Sequence, residues 1–149
     1  MQILNEMTED ILITRLEGEL DHHSAAEVRQ AVDETLSVFG GRHLIFCFEK
    51  VSFMDSAGIG VVMGRYNRVR ENGGVLVVAQ CGEYVKRILS MAGIFTIANY
   101  CETMEEGIAF CRQAGKDRQR ETESEGGGEE APEGSPEGMP QKPEGIRQR

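Results

Sequence analysis

Asp55 and Ser56 stand where an apolar run, Val51-Ser52-Phe53-Met54, gives way to the helix-like pattern Ala57-Gly58-Ile59-Gly60. This order puts a serine hydroxyl in the first turn of a helix, directly after a strand. A hydroxyl placed there has three chemical uses. It can cap the helix by accepting a backbone N–H. It can attack an electrophile when a base activates it. It can also accept a phosphoryl group, whose charge the helix N-terminus favours. Phosphorylation adds about −1.5 to −2 charges at neutral pH. Here they would fall beside Asp55, on a chain of formal net charge −9. A docked partner would meet new charge and new bulk together, with no large rearrangement. The nucleophilic use has the least support. Strand, sharp turn, serine, helix is the layout of the Gly-x-Ser-x-Gly elbow, which needs an acid and then a histidine downstream. Met54 occupies the first glycine position, and His22, His23 and His43 all precede Ser56.

A second polar cluster, Gly18-Glu19-Leu20-Asp21-His22-His23, falls at a strand end just before another helix. Ligands of open α/β sheets sit beyond the carboxyl ends of the strands. Asp21 and Ser56 are therefore expected on one rim, with Asp21 as a surface contact residue. His22 and His23 are adjacent and expected to diverge, and no third ligand is spaced to join them, so no metal is assigned. The segment reads instead as a loop that orients the helix, with Ser24 as N-cap and Glu27 completing a capping box. The four cysteines, Cys47, Cys81, Cys101 and Cys111, include no Cys-x-x-Cys pair. They read as reduced thiols packed as small hydrophobes.

The elements that position these residues follow from periodicity. Gln2 to Met7 and Asp10 to Leu20 read as two strands joined at Thr8-Glu9-Asp10, an antiparallel hairpin. Ala25, Val28, Val32, Leu36 and Phe39 step by three and four residues, which predicts a helix over Ser24–Phe39, stopped by Gly40-Gly41. Leu44 to Phe48 and Val75 to Ala79 are continuous apolar runs of the kind that form strands covered on both faces. The helix opened by Ser56 is predicted to run to about Asn72. Its stripe is Ile59, Val62, Met63, Tyr66 and Val69, with Arg65, Arg68 and Arg70 pointing elsewhere. Gly60 and Gly64 leave one flank bare, so another backbone can approach. Each costs about 1 kcal/mol of helix propensity relative to alanine, which implies a packing or functional reason for it. Glu83 to Ala92 is a short helix, Ile94 to Tyr100 holds a last short strand, and a final helix starts near Thr103. The order β-β-α-β-α-β-α-β-α predicts an α/β domain with a mostly parallel sheet, an N-terminal antiparallel hairpin strand and about four helices.

Composition sets the boundaries. From Lys116 to Arg149 the chain holds six glycines, all four prolines, and nine acidic against six basic residues. The expectation is a domain over residues 1–115 and a disordered acidic tail over 116–149, too poor in apolar surface to offset its ordering entropy. An acidic domain with no basic stripe argues against nucleic acid and anionic membrane as direct partners. No run of about 18 apolar residues marks a spanning helix, and no signal peptide opens the chain. A cytoplasmic location is expected.

The Gly18–His23 segment together with Phe53-Met54-Asp55-Ser56-Ala57-Gly58-Ile59-Gly60-Val61 resembles the STAS-domain anti-sigma factor antagonists. Met63-Gly64-Arg65-Tyr66 and Val85 to Phe95 extend the resemblance toward the sporulation branch of that family, over roughly residues 1–113. The resemblance implies a STAS fold and a partner switch. Ser56 matches the family's phosphoserine, and Asp21 matches an aspartate at the kinase-binding surface. Asp55, Gly58 and Ile59 complete the implied partner-binding set. The implied partners are an anti-sigma factor that is itself a serine kinase and a PP2C-type phosphatase that reverses it. The chain would be a substrate and competitor, not an enzyme, and no cofactor is implied. A module of another sigma-factor or stress pathway is the alternative. Relatives often carry a second serine where this chain has Ala57, so Ser56 is the only hydroxyl at the junction.

Overall fold

The computed structural model describes residues 1–124, with side chains to residue 120. Strands β1 (Gln2–Thr8) and β2 (Ile11–Leu20) form the hairpin, turning at Glu9, which takes a positive φ of 57°. Helix α1 (Ala25–Phe39), β3 (His43–Met54), α2 (Ser56–Glu71), β4 (Leu76–Ala79), α3 (Glu83–Met91), a 3₁₀ turn (Ile94–Thr96), β5 (Asn99–Cys101) and α4 (Met104–Ser124) follow. The sheet order is β1-β2-β3-β4-β5. β1 pairs antiparallel with β2, and the remaining neighbours are parallel.

Strand alternation splits the core into two layers. Leu12, Leu44, Phe46, Phe48, Leu76 and Val78 pack against Val28 and Val32 of α1, Val61, Val62 and Val69 of α2, and Val85 and Leu89 of α3. On the other face Ile11, Ile13, Ile45, Val77 and Ala79 meet Cys111, Met104 and Ile108 of α4. Gly107 allows α4 to sit close, since a Cβ there would lie 3.4 Å from both Ile45 and Val77. All four thiols are free, and three are buried. Burial pushes the Cys81 and Cys111 thiols up to about 12, which suits packed, unreactive sulfur. None of the described helices is long and apolar enough to cross a membrane.

Several local expectations change. Phe39 is 66% exposed and lies outside the α1 stripe, because Gly40 turns the chain into the left-handed region immediately after it. β3 is twelve residues long and continues well past the apolar run, to Met54. The Ile94–Tyr100 segment begins with the 3₁₀ turn, and only Asn99–Cys101 pairs with β4. Arg65 does not point away. It is buried between α1 and α2, its Nε 3.0 Å from Asp33 Oδ1, while Arg68 Nη1 lies 3.6 Å from the same oxygen. α4 runs past residue 115 to Ser124. Gln113 and Arg120 both bond Asp117 along it, and Arg118 lies 3.0 Å from where a Cβ on Gly73 would be. Residues 116–124 are thus helical, and the rest of the proposed tail, 125–149, lies outside the described residues.

Candidate functional site

The site is built where β2 and β3 end side by side. Their last parallel pair is Leu20 with Met54, and Asp55 N–H then donates to the Leu20 carbonyl at 3.4 Å. The β2–α1 loop and the β3–α2 junction therefore share the rim that the sequence predicted for Asp21 and Ser56.

Asp55 is the N-cap of α2, with extended backbone at φ −119° and ψ −168°. Its Oδ1 accepts from Ala57 N–H at 2.9 Å and Gly58 N–H at 3.3 Å. Its Oδ2 accepts from His22 N–H at 3.3 Å and lies 3.5 Å from His22 Nδ1. Desolvation works to raise the Asp55 pKa, but the Ala57 and Gly58 N–H groups and the two contacts from His22 together outweigh it and hold the carboxyl below its ordinary value. With the cap supplied by Asp55, Ser56 is left as the first helical residue, exposed, and its Oγ makes no hydrogen bond to the described residues. The two possible caps are thereby told apart. Among the described residues no imidazole is bonded to the Ser56 hydroxyl.

Gly58 is buried. A Cβ there would lie 2.6 Å from the Leu20 carbonyl oxygen and 2.7 Å from Met54 Cγ. Its lack of a side chain lets α2 approach β2 closely. Ile59 is half-buried against the main core. Gly60 and Gly64 have open space where a side chain would be, so nothing within the described chain uses the bare flank.

The expected Ser24 capping box does not form. Ser24 has helical backbone, at φ −100° and ψ −11°, and makes no cap bond. Its hydroxyl instead donates to the Glu19 carbonyl at 2.8 Å and accepts from Asp21 N–H at 3.1 Å. Asp21 organises the loop: its Oδ1 accepts from His23 N–H at 2.9 Å and Ser24 N–H at 3.2 Å, and its carbonyl accepts from Ala25 N–H. Desolvation opposes ionisation of Asp21, but those two N–H bonds and the nearby histidines lower its pKa overall. Asp21 also lines a cleft of about 360 Å³ with Met1, Glu19, His23, Ser24 and Glu27.

His22 and His23 do not diverge. Their rings lie 4.0 Å apart, centroid to centroid. The reach of His22 to Asp55 has no signal in spacing, since it depends on two distant strand ends meeting. Phe53 and Tyr84 were also missed. They are 37% and 45% exposed, with rings 6.2 Å apart, and they bring the start of α3 to the end of β3. Two exposed aromatics 31 positions apart give no periodic signal.

Comparison with known proteins matches the fold. The model of the STAS domain family matches residues 2–107. The anti-sigma F factor antagonist of Paenibacillus polymyxa is 39% identical over 97 residues, 65% of this chain and 83% of that protein. The anti-sigma-B factor antagonist of Bacillus subtilis is 28% identical over 103 residues, 69% of this chain and 93% of that one. Among solved structures, the anti-sigma factor antagonist SpoIIAA in unphosphorylated form superposes with a TM-score of 0.59 at 26% identity, covering 80% of this chain and 98% of its own. The phosphorylated form of the Bacillus SpoIIAA gives 0.59 at 28%, covering 72% and 97%. With the antiparallel strand at one edge, four helices and the Asp-Ser junction at the start of α2, the chain belongs to the STAS domain family.

Proposed function

We propose that the chain is an anti-sigma factor antagonist and that Ser56 is its phosphoacceptor. One observation carries this reading: Asp55 caps α2, which leaves the Ser56 hydroxyl exposed at the helix start and without a hydrogen bond among the described residues, on the same rim as Asp21. The names of the relatives supply the partner class. In this reading the unmodified chain binds an anti-sigma factor serine kinase through Asp21, Asp55, Ser56 and Ile59, with Gly58 setting the approach of α2 beneath them. Binding displaces the sigma factor. The kinase then transfers the γ-phosphoryl group of ATP to Ser56 Oγ, the hydroxyl proton leaves, and ADP is released. The dianion beside Asp55 adds charge and bulk to the docked face and ends binding. A PP2C-type phosphatase hydrolyses the ester and restores the binder. The antagonist is a substrate and competitor rather than a catalyst, acting in the cytoplasm.

The test is intact-mass and peptide mass spectrometry after incubation with an anti-sigma F serine kinase and ATP. One phosphate, located on Ser56 and absent in Ser56→Ala, is the expected result. Binding without modification would remove the phosphoacceptor assignment, and neither binding nor modification would remove the whole reading. The likeness to the anti-sigma-B factor antagonist favours one second reading, the same switch in a stress pathway rather than in sporulation. Parallel binding to kinases of the two pathways separates them, the cognate one being expected to bind at least tenfold more tightly.

A further inference from the structure

β1 is an edge strand, and among the described residues no strand pairs with its outer side. Natural sheets guard such edges with lysine, proline, a bulge or a very short strand. β1 has none of these. It is seven residues long, Gln2-Ile3-Leu4-Asn5-Glu6-Met7-Thr8, and it pairs with β2 over all seven without a register shift. Its single charged residue, Glu6, is paired with Arg15 Nε at 3.2 Å. Both faces beside the edge carry exposed apolar groups. On the face that bears Arg15, Leu4 is 59% exposed and lines a cleft of about 410 Å³ with Arg15 and Cys47, and no residue of α4 reaches that lining. On the other face Asn5 Nδ2 donates to the Ala31 carbonyl at 3.3 Å and to Thr35 Oγ1 at 3.2 Å, and α1 rests over β1 and β2. Val38, three residues on from Thr35 and so on the same helix face, is 70% exposed.

We infer that β1 is a self-association edge: two copies of this chain pair antiparallel through β1 about a two-fold axis at Leu4, joining two five-stranded sheets into one. In that register Leu4 stands opposite Leu4 of the second copy, Ile3 opposite Asn5, and Gln2 opposite Glu6, so no like charges meet. An axis at Asn5 would instead set Glu6 against Leu4. The helices fit the same axis. Neighbouring strands lie about 4.8 Å apart. Seated over β1 and β2, α1 lies about one strand spacing from the axis, which puts the two α1 helices about 10 Å apart, the distance of directly packed helices. Ala31, Thr35 and Val38 would line their contact. A strand pair alone is small beside the roughly 1,600 Å² of a standard interface, and the helix pair adds the rest. Ser56 lies two strands in from this edge, at the end of β3, so the inference goes beyond the phosphoacceptor reading and does not depend on it.

The experiment is sedimentation equilibrium of the full chain from about 1 µM to about 1 mM. The mass is expected to rise from 16.5 kDa toward twice that value, with a Kd on the order of 10 µM. Leu4→Lys places a charge at the centre of the edge and should weaken the dimer by at least about tenfold, while circular dichroism shows an unchanged fold. Register is read by cross-linking under mild oxidation, with the wild type as baseline. Leu4→Cys should form a dimer disulfide, since directly opposite Cβ atoms lie about 4.5–5.5 Å apart. Gln2→Cys should not, since its copy lies about 14 Å away along the strands. The cysteine pair decides the question however Leu4→Lys folds. A chain that stays monomeric throughout, a dimer indifferent to Leu4→Lys, or Gln2→Cys cross-linking as readily as Leu4→Cys would overturn the inference. So would a monomer whose outward β1 amides resist hydrogen exchange, which would give the edge a different occupant.

Discussion

Three glycines of α2 face different surroundings, so the same substitution should change sign along one helix. On propensity alone, glycine to alanine in a helix interior gains up to about 1 kcal/mol. At Gly58 the new Cβ would sit 2.6 Å from the Leu20 carbonyl oxygen, 2.7 Å from Met54 Cγ and 3.0 Å from Leu20 Cγ. Met54 can turn its side chain, but the Leu20 carbonyl belongs to β2 and accepts from Asp55 N–H. Relief therefore requires α2 to move off the sheet. Overpacking of this kind costs about 1–3 kcal/mol, so Gly58→Ala should lose roughly 1–2 kcal/mol net. Gly60 and Gly64 have nothing within 4 Å of a Cβ, and alanine at either should stabilise by about 0.4–1 kcal/mol. The two directions should separate Gly58→Ala from Gly60→Ala by about 1.5–3 kcal/mol, or around 1 M in urea midpoint at a slope of about 2 kcal/mol/M. Urea unfolding followed by circular dichroism measures this directly. A Gly58→Ala variant as stable as wild type would refute the close-approach argument, and a destabilised Gly60→Ala would show that the bare flank is already in use within the chain. If the flank is kept for a partner, Gly60→Ala and Gly64→Ala should bind the kinase more weakly while being more stable.

Ser56→Ala should leave stability within about 0.5 kcal/mol of wild type, whereas Asp55→Ala should lose about 0.5–2 kcal/mol with the N-cap; chemical denaturation of the pair checks which residue caps α2. The Asp55 carboxyl is held below its unfolded value, so its contribution should be complete above about pH 4 and be lost as pH falls through the folded pKa, a loss that Asp55→Asn should flatten in an acid titration of stability. His43 is buried and accepts Val75 N–H at Nδ1, at 3.0 Å. Burial chiefly depresses its pKa, so the unfolded chain binds the proton more readily. Stability should therefore decline as pH drops below about 6.5 until the folded pKa is reached, and His43→Asn, which keeps an acceptor for Val75, should remove that slope. Asp33→Ala strands the buried Arg65 guanidinium and should cost on the order of 3 kcal/mol, while Arg65→Met should cost less; thermal unfolding of the two variants decides it.

What could be read from the chain was what depends on local period. The step of α1, the buried runs of β3 and β4 and the hairpin at Glu9 each announce themselves within a dozen residues, and they fix the sheet that brings Asp21 and Ser56 to one rim. What was hidden depends on backbone geometry or on distant partners. Ser24 has the chemistry of a cap, but its helical dihedrals turn the hydroxyl back to Glu19. Arg65 looks solvated from its charge, yet Asp33 on α1 gives it a partner and its stem fills the groove. Gly58 and Gly60 are identical letters, and the nearness of Leu20 and Met54 to the first distinguishes them. Polar composition makes residues 116–124 look unstructured, but α4 continues through them, and Gln113, Asp117 and Arg120 supply side-chain contacts along the helix.

The strand order runs without reversal from β1 to β5. In a doubly wound sheet the order reverses at one place, the two flanking helices fall on opposite faces, and a crevice opens between their starts that suits a nucleotide or other small molecule. Here α1, α2 and α3 all lie on one face, so the loops after β2, β3 and β4 form a continuous ledge instead of a split. A ledge offers little to enclose a metabolite, but it can be matched by the complementary surface of another macromolecule and rewritten by adding a few atoms at its edge. The winding of the chain thus favours being read over doing the reading.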